Sequence, residues 1–265
     1  MPGFWEPHTS SVEFCEPNYV LTHLVAETHN TWSSLCIVAL AIIGLCYCNI
    51  TNEWRNTVLF TAMLVCGIGS VCLHGTLHWA FQSADELPML WGNLAFIFAL
   101  SHMYSLQTES NVFAASVFVA TGLLQTYLYF AFRHVFGVFV VMYGTGVALV
   151  LYWLGTSVPA ALDEAERNMR FWLFSRSIFS YLILGFVLWI YEMHNCDSLE
   201  PHFLAWGGMS FHILWHFGAA LGTYLMILLT IVCRAQALAF VVELDWICYG
   251  LVPIIKKTGR NKILA

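Results

Sequence analysis

Three histidines, one serine and one aspartate in this 265-residue chain have the spacing of a metal-centred hydrolytic site. Ser70 and His74 stand four residues apart and His78 follows after four more; at about 100° per residue the three share one face of a helix. Asp85 opens the run Asp85-Glu86-Leu87-Pro88-Met89, and far along the chain His212 and His216 form a second i, i+4 pair. Such a pair turns two imidazoles toward one ion. With His74 it completes a zinc shell of the catalytic kind, leaving a fourth position for a water whose pKa zinc lowers to about 7. Asp85 would take that proton and return it to a leaving amine, while Ser70 would donate to the water or to a developing oxyanion.

The same residues admit other readings. His-x3-His also ligates haem or iron, as in a haem or metal transport protein, but that reading gives Ser70 and Asp85 no task. His78 competes with His74 as a ligand; the Ser70 partner four residues back favours His74 and leaves His78 as a rim or substrate contact. His102 and His134 read as packed, hydrogen-bonded side chains.

For these groups to meet, the elements carrying them must be membrane spans. Apolar residues make up 59% of the chain and charged ones only 10%, against roughly 25% charged in soluble domains. The charges gather in short segments separated by long uncharged runs. Seven such runs are expected to cross as helices, at roughly 31–50, 57–79, 86–106, 112–132, 135–155, 171–191 and 206–233. Helices are preferred to a barrel because the runs are continuously apolar and do not alternate. The joins at Gln82-Ser83-Ala84 and Arg133-His134 are the shortest, so either flanking hairpin can be re-entrant instead. Trp32, Trp54, Trp79, Trp153, Trp172 and Trp206 fall near span ends, as interfacial anchors do.

Orientation follows from Lys and Arg. With the N-terminus lumenal or extracellular, the inner segments hold Arg55, Arg167, Arg170, Arg176, Arg234, Lys256, Lys257, Arg260 and Lys262, and the outer segments only Arg133. The chain is then an all-α integral membrane protein: a lumenal acidic arm (1–30), a seven-helix catalytic domain (31–233) and a cytosolic tail (234–265). The arm has no Lys or Arg and no apolar core, unlike a cleavable signal peptide. Ser70, His74, Asp85, His212 and His216 all fall in the outer half of the membrane. A net charge of −6 without a basic stripe argues against nucleic acid; Lys256-Lys257 in the tail suit anionic lipid.

Beyond the chemistry, Gly69-Ser70-x3-His74, the Asp85-Glu86-Leu87-Pro88-Met89 run 15 residues after the serine, and the late His-x3-His combine with an N-terminal pattern: Trp5-Glu6-Pro7, then Glu13-Phe14-Cys15-Glu16-Pro17-Asn18-Tyr19, Ala26-Glu27 and Asn30-Thr31. Over nearly its whole length the chain resembles the alkaline ceramidases. They belong to a superfamily of seven-span hydrolases that includes the progestin and adipoQ receptors. The Ser, Asp and His set is shared across it, and the arm carries the likeness to ceramidases.

The resemblance implies a zinc amidohydrolase that cleaves ceramide from the bilayer into sphingosine and fatty acid, with zinc on His74, His212 and His216 and with Ser70 and Asp85 catalytic. It also implies calcium stimulation through Glu13, the Phe14 carbonyl, Glu16, Asn18 and Glu27, a hard-oxygen set. Glu13 departs from an aspartate in the pattern. Without the resemblance, these acids read as a solvated arm with Glu27 as a helix-start charge. Of nine cysteines only Cys15 and Cys196 fall in outer segments, where an oxidising lumen lets them pair, and the resemblance supports that bond. Endoplasmic reticulum or Golgi membrane is implied by the family alone. A receptor of the progestin and adipoQ kind is the main alternative function; its cytosolic N-terminus conflicts with the charge count.

Overall fold

A computed structural model describes residues 3–105 and 112–260. Lys262, counted above among the inner charges, the last residue of the span expected at 86–106, and Met1 and Pro2 of the arm lie outside the described residues. The order is α1 (Thr28–Ser33), α2 (Leu35–Tyr47), α3 (Trp54–Thr76), α4 (Trp79–Ser101), α5 (Val112–Ala131), α6 (Phe136–Ser157), α7 (Glu164–Ile178), a π-helical stretch (Phe179–Val187), α8 (Leu188–Ala205), α9 (His212–Ala237) and a hairpin of β1 (Phe240–Ile247) with β2 (Val252–Arg260).

The molecule is mainly helical, and six helical stretches are long and apolar enough to cross a membrane: Thr28–Tyr47, Trp54–Thr76, Val112–Ala131, Phe136–Ser157, Glu164–Ala205 and His212–Ala237. α4 matches α3 in length, 23 residues each, but its first half carries Gln82, Ser83, Asp85 and Glu86. α9 is the central element, with Tyr224 to Gln236 buried almost without a break. α5 lies outermost and buries only Tyr129.

Helix ends differ from the sequence expectation where local capping decides. The break expected at Gln82-Ser83-Ala84 is helical. The chain turns earlier, at Leu77, which takes the left-handed conformation, and at His78, whose Nδ1 accepts from the Ala80 N–H at 3.3 Å. Asp85 therefore sits in the second turn of α4, not at its opening. The run at 206–233 likewise becomes helical only at His212 and continues to Ala237. The sixth run sits within a 42-residue helix, about 63 Å if straight, which kinks at Asn195 (φ −129°, ψ 18°).

Two glycines set how closely helices approach at the level of the chemistry. Pro88 has no N–H to reach the Ala84 carbonyl, and Gly69 of α3 packs on the Ala84–Asp85 peptide, where a Cβ would come within 2.5 Å of the Asp85 nitrogen. On α9, a Cβ at Gly218 would come within 2.6 Å of the Gly185 nitrogen in the π stretch. π turns often mark functional sites, and this one braces α9 just past His216.

The tail is the largest departure from the expected fold. Residues 240–260, expected only as the cytosolic tail of an all-α fold, form an antiparallel hairpin whose Val242, Ile254 and Ile255 are buried in the core. It returns along α9, and the Tyr224 hydroxyl donates to the Pro253 carbonyl at 2.7 Å.

Gly69→Ala is expected to cost about 1–3 kcal/mol by overpacking. A melting temperature equal to wild type would show that the α3–α4 approach has slack.

Candidate metal and catalytic centre

The site begins where the N-terminal arm meets α3. The Glu27 N–H donates to the His74 carbonyl at 2.9 Å and the Ala26 N–H to the Gly75 carbonyl at 3.0 Å. This strand-like contact delivers the Glu27 carboxylate, fully buried, to the His74 ring: Nδ1–H donates to Oε2 at 2.5 Å. Oε2 also accepts from Asn30 Nδ2 at 3.1 Å, and Oε1 from the Phe14 N–H at 3.2 Å.

His212 and His216 come from the first turns of α9. The three imidazoles pack with ring centroids 4.7 to 5.1 Å apart, and one ligand atom from each lies within 4.8 Å of the others. All three are buried, and among the described residues theirs is the one grouping of at least three His, Cys, Asp or Glu able to hold an ion. Hydrogen bonds fix the tautomers. The Ser33 hydroxyl donates to the Asn30 carbonyl at 3.1 Å, so its oxygen accepts from His216 Nδ1–H at 2.7 Å. With the Nδ1 protons of His74 and His216 committed, their Nε2 lone pairs are left for a metal. His212 Nδ1 is buried with no hydrogen-bond partner. Neutral nitrogen donors with one orphaned atom suit zinc, so the residues fit the ion implied by the resemblance.

Ser70 lies beside this cluster. Ser34 donates its hydroxyl to the Asn30 carbonyl at 2.8 Å, so its 2.9 Å contact with Ser70 has Ser70 donating. Asp85 accepts from Cys66 Sγ at 3.3 Å. Ser70, Asp85, His212 and His216 together line one end of an apolar cavity of about 380 Å³, which extends between the helices toward Leu151 and Ile227. Phe14 covers the site, its ring centroid 4.1 Å from that of His212 and 4.8 Å from that of His74. The arm is also tied to α4: Ser11 N–H donates to Gln82 Oε1 at 2.7 Å, and Gln82 Nε2 donates to Glu86 Oε1 at 2.9 Å.

Of the arm acids, Glu13 and Glu16 each lie within electrostatic reach of Glu27. Glu13 is exposed and turns to His8 at 3.4 Å, and Asn18 is exposed. Glu16 is buried and accepts from the His29 and Asn30 N–H groups, each at 2.7 Å, at the start of α1. Burial, opposed by those two bonds, raises its pKa to about 7. Asn30 Oδ1 and Thr28 Oγ1 are buried there without partners. Two buried carboxylates and two orphaned oxygens fit a hard cation. Cys15 and Cys196 are joined by a disulfide with Cα atoms 5.3 Å apart, pinning the arm beyond the Asn195 kink. His78 does not reach the cluster, since it caps α4.

Sequence reasoning missed Ser33 and Ser34, which in isolation carry no signal: two serines at a helix start read as caps. It read Glu27 as a calcium ligand or a helix-start charge and overlooked its bond to His74.

Comparison with known proteins bears directly on this geometry. A sequence profile of the ceramidase family, described as Ceramidase, matches residues 6–254. The chain belongs to the ceramidase family. It is 29% identical to mouse alkaline ceramidase 3 across 98% of this chain and 97% of that protein. An Arabidopsis thaliana alkaline ceramidase is 25% identical across 96% and 95% of the two chains, and a Saccharomyces cerevisiae alkaline ceramidase 26% identical across 86% and 77%. The chain is thus a membrane hydrolase of this family, and the receptor alternative is not favoured.

Glu27→Gln is expected to lower the affinity of the imidazole cluster for a metal ion about 10- to 100-fold by weakening the orientation of His74, and His216→Ala to remove stoichiometric metal. Metal analysis after dialysis against graded chelator reads both; unchanged retention in Glu27→Gln would dismiss the orienting role.

Proposed function

We propose that the chain is a zinc-dependent intramembrane amidohydrolase that cleaves ceramide to a sphingoid base and a fatty acid. The observation that carries this reading is the trio of buried imidazoles at the head of an apolar cavity lined by Ser70 and Asp85, in a chain of the ceramidase family. The activity named for the relatives supports the substrate. His74, His212 and His216 would hold zinc, which would supply a Lewis acid able to lower the pKa of a water to about 7 and to polarise a carbonyl.

The protein groups do the rest. The cavity takes the hydrocarbon chains and leaves the amide at its polar end. Asp85 accepts a proton from the attacking water and passes it to the departing nitrogen, so that the C–N bond breaks to a neutral amine and a carboxylic acid. Ser70 turns its hydroxyl from Ser34 to the developing oxyanion. Glu27 and Ser33 hold two imidazoles in the tautomer that ligates.

The same reading covers the membrane arrangement. α4 is the seventh crossing, beside α3. The N-terminal arm faces the lumen or the exterior and the C-terminal hairpin the cytosol, as the positive charges require. The host membrane is that of the endoplasmic reticulum or Golgi. Calcium sits at Glu16 and Glu27, recruits Glu13, Asn18 and the Phe14 carbonyl, and stimulates turnover by fixing the arm.

Asp85→Asn is expected to lower ceramide turnover about 10²- to 10⁴-fold and Ser70→Ala about 10²- to 10³-fold, with zinc content unchanged. A wild-type protein that holds zinc yet releases no sphingoid base from ceramides of any acyl length would defeat the assignment. Calcium affinity has its own pH signature. Below about pH 7 the Glu16 carboxyl is protonated and cannot ligate, so the calcium dissociation constant rises as pH falls from about 8 to about 6. Calcium-induced shifts in melting temperature measure this, and Glu16→Gln should leave only the part of the dependence carried by Glu27, whose carboxyl pKa is also raised by burial.

A further inference from the structure

The hairpin carries a feature the hydrolytic site does not use. The ten residues from Trp246 to Ile255 contain no charge. The buried ones, Pro253, Ile254 and Ile255, face the helices, while Trp246 is 44%, Leu251 77% and Tyr249 107% exposed. Cys248 and Tyr249 hold positive φ angles of 52° and 58° in the turn, ahead of Gly250 at 84°. Each non-glycine residue there is strained. An aqueous turn would place polar residues or glycine at these positions.

The direction of the hairpin explains the composition. Tyr224, which bonds the Pro253 carbonyl, lies thirteen residues before the end of α9, about 20 Å back along the helix. The same hydroxyl meets Cys48 Sγ at 3.4 Å, and Cys48 caps the end of α2. The hairpin leaves the far end of α9 and folds back until its tip is level with the end of an apolar span. The charges lie along its stem: Lys256 pairs with Asp245, and Lys257 sits 3.7 Å over the Phe240 ring. An apolar, aromatic tip below a charged stem matches the polarity gradient of a lipid headgroup region.

We propose that the β1–β2 hairpin docks its tip, Trp246 with Cys248 to Leu251, on the inner lipid–water interface of the membrane that its own helices cross. This rests on the membrane orientation proposed above. The paired lysines remain at headgroup level, so docking is driven by the apolar tip and does not require anionic lipid.

The test uses the full chain in phosphatidylcholine nanodiscs containing a phosphatidylcholine with a diazirine high on its acyl chain, with photolabelled peptides mapped by mass spectrometry. Label is expected on the peptide spanning 246–251 as well as on exposed α5 and α6 residues such as Leu123 and Tyr152. Combined Tyr249→Asp and Leu251→Asp should lose the tip label while span labelling and turnover persist. Leu251→Gln alone should reduce the tip label and serves if the double variant does not fold. Label on the spans but not on the wild-type tip, tip label that survives the double substitution, or a tip crosslinked to protein in place of lipid would overturn the proposal. Wild-type protein inactive on ceramide but labelled at the tip would fail the hydrolase reading and still support docking.

Discussion

The hydrogen bond between Glu27 and His74 is the constraint around which the outer half of the molecule is arranged. Both side chains are essentially out of contact with solvent, and a carboxylate so placed costs several kcal/mol unless its oxygens are satisfied. Satisfying them draws in Phe14, Asn30 and the imidazole itself. The arm must then lie across the ends of α3 and α4, which its backbone bonds to Gly75 and Leu77 accomplish. Phe14 is thereby laid on the histidines. The lid of the site and the orientation of one of its ligands are consequences of burying one acid.

Close backbone contact does the corresponding work deeper in the bundle. At Gly69 it brings α3 against the Ala84–Asp85 peptide, and at Gly218 it brings α9 against the π stretch. Without much hydrophobic force between helices in lipid, small residues and interhelical hydrogen bonds decide which faces meet. Ser70, Asp85 and the His212/His216 pair project into one cavity because helices from distant parts of the chain approach at these points.

The candidate site was legible in the sequence because polar side chains are expensive in apolar spans. Ser70, His74, Asp85, His212 and His216 stand out against uncharged surroundings, and residue type and spacing alone name them. Context-dependent roles were not legible. Glu27 in a sequence is an acid near a helix start, and its bond to a residue 47 positions away follows only from packing. Ser33 and Ser34 look like caps, and His78 looked like a rival ligand until its ring was seen capping α4. The start of α4 was misjudged because polar Gln82 and Ser83 read as a turn in a membrane sequence, whereas they bind the arm and the preceding turn of the helix. The hairpin was hidden because its lysines dominate a reading by charge, while Val242, Ile254 and Ile255 determine its packing.

The Ser33–His216 bond joins residues 183 positions apart, and this bears on how the protein is made. A nascent chain that has inserted α1 to α4 carries Glu27, Ser70, His74 and Asp85, but two of the three clustered imidazoles await the last helix. Through most of synthesis the emerging polypeptide shares a bilayer with abundant lipid while that cluster is incomplete. Placing the histidine pair on α9 completes the cluster in one step, after the helices that enclose it are in place.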